Sequence, residues 1–423
     1  MLRWIRPRWL REIVRYLLSP VVGLFLVVAL FVIGGIITES VPPFSTWSPE
    51  QQLRLLGYTV GIGWIAVGVL MLGWNWIRRQ KRYQANTWYR NGIELARQER
   101  YEDALAAYER AIKIAPKFSN AWLSKGESLS QLGRYEEALA AEDHLVTLFP
   151  RYATAWNNKG FTLSKLGRHR EALSAYEQAI VISPQYALAW ANKGGNLSRL
   201  GRNEEALIIL ERATTLDPAE CLAWNNKGIA LSRLGRSQEA LAAYEQAIAL
   251  SPHYANAWVN MGVALDRLHR YEEALGAFDR ALGLDVSDAT AWNDMAAILC
   301  ERLKRYEEAI AVCDAARAER IEVAGLWAVR GDALHALGRE DEARAAYEHI
   351  LTFPANDFLS WASHGAAHAG LGHYHEALAA YDEALALDPN HARLWREKAA
   401  VLRALGRDDE AKDAEARADE LDG

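Results

Sequence analysis

Ten tryptophans recur along this chain at a fixed interval. Trp88, Trp122, Trp156, Trp190, Trp224, Trp258 and Trp292 are each 34 residues apart. After a slip of one residue the interval resumes at Trp327, Trp361 and Trp395. A constant period of this length means one supersecondary unit stacked ten times, not a globular domain around one core. Units of this kind bury their apolar faces against one another and build an extended surface suited to binding.

Residues 155–184 show how one unit works. Trp156, Gly160, Leu163 and Leu166 fall at i, i+4, i+7 and i+10, which is one stripe of a helix. Gly167 ends that helix, because glycine takes the left-handed cap conformation readily. Ala172, Leu173, Tyr176, Ala179 and Ile180 form a second helical stripe, and Pro184 stops it. Small residues hold the two helices close. Four positions after Trp stands Gly or Ala in every unit, and the matching site of the second helix is Ala in all ten, Ala104 to Ala411. A mid-helix glycine costs roughly 1 kcal/mol relative to alanine, so its recurrence calls for a packing reason.

Trp, then Gly, then Ala, an aromatic such as Tyr176, and Pro: the pattern resembles the tetratricopeptide repeat (TPR). The resemblance covers roughly residues 85–420 and implies an all-α, right-handed superhelical solenoid of about ten helix hairpins, with the first helices lining an inner groove. The domain expected over residues 85–423 has two irregularities. The last repeat, 393–423, carries Glu415 where the third has Tyr176, and its second helix is mostly charge and alanine, as suits a cap. The seventh repeat has Ala296 for Gly, Cys313 for the aromatic, an extra residue near 301–304, and Val286 in place of the preceding Pro. Residues 286–325 are therefore expected to form a joint where the superhelical pitch changes; the alternative is ordinary drift in a tolerant repeat.

Ahead of the repeats the composition changes. Residues 16–38 and 55–77 are two stretches of 23 residues without a charge. At about 1.5 Å per residue each is long enough to cross a ~30 Å hydrocarbon core, so the chain is expected to begin with a two-helix transmembrane hairpin. A basic amphipathic arm at 1–15 precedes it, a short external loop at 39–54 joins the spans, and a basic linker at 78–84 follows. Arg3, Arg6, Arg8, Arg11 and Arg15 lie before the first span, and Arg78, Arg79, Lys81 and Arg82 after the second. The positive-inside rule then places both termini and the repeats in the cytoplasm. Gly57 and Gly61 are spaced to let the two spans pack closely.

Charge divides along the same line. Residues 1–90 carry 11 basic and 3 acidic side chains, or +8; the remainder carries 37 and 51, or −14, within a total of −6. The basic flanks favour anionic lipid headgroups, and the acidic repeats argue against nucleic acid. No cofactor or catalytic signature is expected: there is no GxxxxGK[ST], HExxH, GxSxG or paired CxxC. His364 and His368 form an i, i+4 pair, but they occupy positions of Lys159 and Leu163 in the third repeat and are expected to be structural.

The groove is the remaining candidate. Two positions after Trp stand Asn158, Asn192, Asn226, Asn260 and Asp294. In the family this position lines the inner surface, where an amide offers a donor and an acceptor to a peptide backbone. Nine positions after Trp runs a second row, Arg97, Gln131, Lys165, Arg199, Arg233 and Arg267, then Glu301. If it shares the groove, it would favour acidic or carboxylate-bearing segments; otherwise these are helix-end cations favourable to the dipole. The chain is thus expected to be a membrane-tethered, non-enzymatic scaffold recruiting a partner through an extended peptide. The alternative is a structural subunit held in a larger membrane complex by its hairpin.

Overall fold

The repeat predicted from tryptophan spacing is present as helix hairpins throughout the computed structural model, which describes residues 48–422. Every regular element among the described residues is a helix. The arm at 1–15, the span at 16–38 and the loop residues 39–47 lie outside the described residues. The second expected span, 55–77, is helical, within a single helix α1 (Pro49–Arg97). That helix also runs through 78–84, expected as a linker. Neither Gly nor Pro occurs between Gly73 and Gly92, so nothing there breaks it. Of residues 51–60 and 62–67 only the backbone is described. Among the described residues no helix is long and apolar enough to cross a membrane.

The described chain falls into two compact units, one ending at Pro150 and one beginning at Arg151. In the first, the C-terminal part of α1 pairs with α2 (Tyr101–Ile114), followed by α3 (Ser119–Gln131) and α4 (Tyr135–Leu148). In the second, sixteen helices alternate from Ala153 to Asp422 as eight hairpins. There the first helices of successive hairpins pack on one another as well as on their own partners.

Packing inside each hairpin explains the small residues. A Cβ built on Gly160 would lie 2.6 Å from Cε1 of Tyr176, and one on Gly228 would lie 2.4 Å from that atom of Tyr244. The glycine is thus a seat for the aromatic ring of the second helix, and Tyr176 and Tyr244 are each only 2% exposed. Ala172 and Ala240 are fully buried beside them.

The tryptophans join one hairpin to the next. The indole Nε1–H of Trp190 donates to the carbonyl of Pro184, 2.9 Å away, and Trp224, Trp258 and Trp395 bind Pro218, Pro252 and Pro389 in the same way. In the first unit Trp122 does this with Pro116. The carbonyl is what matters, since Trp292 makes the same bond to Val286 at 2.8 Å. A lysine three positions after Trp adds a second clasp: Lys193 reaches Glu177 of the previous hairpin at 2.9 Å, and Lys398 reaches Asp382 at 2.6 Å.

The seventh repeat absorbs its extra residue by widening. Its first helix (Ala289–Ala297) continues as a π-helical turn, Ile298–Arg302. Lys304 then takes the left-handed conformation, φ 56°, that glycine holds in most other turns. In the last repeat Ala399 is buried as its sequence position requires, and Glu415, standing where most repeats have a ring, is ion-paired to Arg403.

Candidate functional site

The site is built on the first helices of the third to seventh repeats. A helix places residues three and four apart on one face. Asn158, Phe161 and Lys165 therefore form one stripe of the third repeat, Asn226, Ile229 and Arg233 of the fifth, and Asn260, Val263 and Arg267 of the sixth. The fourth has Gly195 between Asn192 and Arg199. Phe161 is 41% exposed, with the Lys165 ammonium 5.5 Å from its ring centre. Sequence reasoning named the rows on either side and missed this middle one. The signal was the i+3 position between two rows already singled out.

The asparagine row is a ladder. Asn192 donates Nδ2–H to Oδ1 of Asn157 at 3.0 Å, and Asn260 does so to Oδ1 of Asn225 at 3.0 Å. Asn226 donates to the backbone carbonyl of Ala191 at 3.1 Å, because alanine has no side-chain acceptor to offer. Asn158 accepts from Nδ2 of Asn157. Each cross-repeat bond spans 35 residues and fixes the amide's orientation.

The cation row is stitched in the same sense. Arg199 donates Nη1–H to Oγ of Ser164 at 2.9 Å, and Ser164 in turn donates to the buried Asn196. Arg233 donates to the carbonyl of Ser198, and Arg267 to the carbonyl and hydroxyl of Ser232 at 2.7 and 2.9 Å. These serines end the preceding first helix, where unpaired carbonyls concentrate negative charge. Each arginine serves the helix end of the preceding repeat with one donor while its side chain stays exposed. In the first unit Arg97 is exposed and lies 3.6 Å from Glu94, and Gln131 ends α3.

Acidic side chains enter at the seventh repeat. Asp294 stands where the ladder has asparagine. Burial pushes its carboxyl up to about 6, Asp266 and Asp288 add to this, and a hydrogen bond from Asn293 opposes it. Asp332 is likewise pushed up to about 6 by burial, against a hydrogen bond from Tyr347 at 2.8 Å. Arg393 of the tenth repeat reaches Glu301 of the seventh at 2.8 Å while holding Glu397 at 2.9 Å.

His364 donates Nε2–H to the carbonyl of Phe353, 3.0 Å away, and so is tied to the preceding loop. Burial lowers the pKa of His368, which lies against His373 with ring centres 5.9 Å apart. Among the described residues no group of three potential ligands gathers into a metal site.

No curated protein matches the chain. Among solved structures it is similar to a tetratricopeptide repeat protein from Parabacteroides merdae, at 18% identity and a TM-score of 0.48, over 59% of this chain and 98% of that one. It is similar to a thermophilic TPR protein from Thermus thermophilus at 26% identity and 0.38, over 45% and 98%. It is similar too to YrrB, a TPR protein with an unusual peptide-binding site, at 25% and 0.33, over 44% and 95%. Tetratricopeptide repeat profiles match residues 89–153, 151–219, 225–289, 265–322, 324–357 and 365–391. With the hairpins, the glycine seats and these matches in agreement over more than half its length, the chain belongs to the tetratricopeptide repeat family, whose repeats form protein-interaction scaffolds.

Proposed function

We propose that the chain is a membrane-tethered docking scaffold whose first-helix face, over repeats three to seven, takes an extended peptide segment of a partner protein. The observation that carries this reading is the asparagine ladder. Asn192, Asn226 and Asn260 each spend one Nδ2 proton on the preceding repeat, which orients the amide and leaves Oδ1 to accept from a peptide N–H. Pre-organised side chains lose little freedom on binding. Phe161, Ile229 and Val263 supply apolar contact beside them, and the remaining donors of Arg199, Arg233 and Arg267 suit a carboxylate on the partner.

The tether rests on the sequence of residues 16–38 and 55–77, with the Gly57 and Gly61 pair seating the spans together. The described end of the second stretch supports it. Met71, Leu72, Trp74 and Trp76 are exposed by 45 to 64% and are followed at once by Arg78, Arg79, Lys81 and Arg82. An aromatic and then basic sequence is how a span meets the cytoplasmic interface. Tethering would raise the partner's local concentration at the membrane, and several repeats let weak contacts add.

The ladder amides also hold repeats together, so replacing them would confuse binding with stability. A cleaner comparison pairs Phe161→Ser/Lys165→Gln on the first-helix face with Val181→Ser/Ile208→Ser on exposed second-helix positions. Full-length chains would be captured from detergent-solubilised membranes and their bound proteins compared. Loss of a partner from the first pair alone supports the groove. Equal retention in both, or loss from the second pair alone, refutes it.

A further inference from the structure

Within the first unit, α1 and the turn between the first two repeats enclose a cleft of about 740 Å³. Arg78, Lys81 and Arg82 line one side, at i, i+3 and i+4 of one helix face. The next residue on that face, Ala85, is only 1% exposed, while the three cations themselves are exposed. That wall carries Lys117 and then Ser119 and Asn120, the first turn of α3. No acidic side chain lines the cleft. Among the described residues, none of the four cations has a carboxylate partner. This contrasts with the repeats, where basic residues are regularly paired: Arg100 with Asp103, Arg134 with Glu137 and Lys125 with Glu109.

Four unneutralised cations around one cavity repel each other, and an anion placed among them relieves that repulsion. The opposite wall adds neutral donors. Phe118 caps α3 without a side-chain hydrogen bond. The backbone N–H groups of Ser119 and Asn120 have no acceptor among the described residues. Such first-turn groups favour an anion with several acceptor oxygens. A phosphate group meets lysine, arginine and backbone donors together, as a single carboxylate does not.

We propose that this cleft binds a phosphate group carried by an anionic ligand. Two sources share that chemistry, a phospholipid headgroup and a soluble phosphate compound. The site stands on its own geometry, whether or not the tether proposed above is correct.

The test uses the full-length chain in neutral-detergent micelles, titrated calorimetrically with inorganic phosphate and, separately, with dihexanoylphosphatidylglycerol. Two variants lose the same charge. Arg82→Gln/Lys117→Gln removes cations from the cleft, and Arg79→Gln/Arg90→Gln removes exposed cations outside it. The parent should bind at least one probe saturably at one site. The cleft variant should bind on the order of 10-fold more weakly and the outside variant within about twofold of the parent, since contact distance decides the strength. Circular dichroism checks that all three remain helical. Binding of the lipid alone supports the cleft and identifies a headgroup ligand; comparable binding of inorganic phosphate supports it and identifies a soluble one. Absence of saturable binding, or equal weakening in both variants, overturns the proposal. An alkaline wash of membranes bearing the cleft variant keeps the two readings apart. Release of the protein, with phosphate binding intact in the parent, would count against the tether and leave the cleft standing.

Discussion

Single side chains in this chain are understood by what sits within a few ångströms of them. Gly160 and Gly126 occupy the same repeat position, yet a Cβ at Gly160 would meet the Tyr176 ring at 2.6 Å, and one at Gly126 would meet the Glu142 side chain less closely, Cγ at 3.3 Å and Oε1 at 3.5 Å. Gly160→Ala should therefore destabilise by ~1–3 kcal/mol through overpacking, less about 1 kcal/mol regained in helix propensity. Gly126→Ala should be neutral or mildly stabilising. Thermal melts of the two variants check this, and equal melting would refute the ring-seat account. Asp294 gives a pH-dependent case. Its carboxyl rises from an ordinary 3.8 to about 6, so across that window the folded chain holds a proton that the unfolded chain has released. Stability falls as pH rises through the window. Asp294→Asn restores the residue of the ladder and removes the charge. It should stabilise the chain by about 1 kcal/mol at pH 7 after allowance for solvent screening, and the gain should vanish near pH 4. Melting curves at the two pH values decide it.

At the scale of helices, the seventh repeat shows how an insertion is tolerated in a periodic stack. One extra residue becomes a π turn at Ile298–Arg302, and Trp292 keeps its bond to the preceding carbonyl although the proline is gone. Within residues 286–325, where a joint is expected, one helix is locally widened. Its consequence lies three repeats away, where Glu301 on the π turn receives Arg393. The arginine is more than half exposed, so the pair itself contributes at most ~1 kcal/mol. Arg393→Gln should leave the melting temperature nearly unchanged and raise amide exchange in the π turn and in the start of the tenth repeat's first helix (Ala392–Ala404). Exchange unchanged at both places would show that the bridge restrains neither.

For the whole chain, stability is a sum of similar hairpins and the interfaces between them. Hydrogen exchange should accordingly be graded along the chain rather than uniform. The final helix, Asp408–Asp422, is rich in charge, and among the described residues it packs chiefly on its own partner helix. It should exchange fastest of the second helices, and slow exchange there would argue for a further contact covering its outer face.

The sequence by itself determined the fold. A 34-residue period is a local rule held by ten units, and a glycine opposite a ring and a closing proline recur in most of them, so no long-range information was needed to read the repeat. The rows of the candidate groove were legible for the same reason, since a helix face follows from spacing alone. What only the tertiary structure decided is how those side chains are used. Whether Asn226 bonds a side chain or a backbone carbonyl depends on Ala191, 35 residues earlier. The row of arginines reaches helix ends of the preceding repeat, and Arg393 finds a glutamate 92 positions away. The phosphate cleft joins residues near 80 to residues near 118, which no periodicity connects. Periodicity prescribes the faces of helices; which side chains of separate repeats meet is the product of many packed contacts, and is written at no single position.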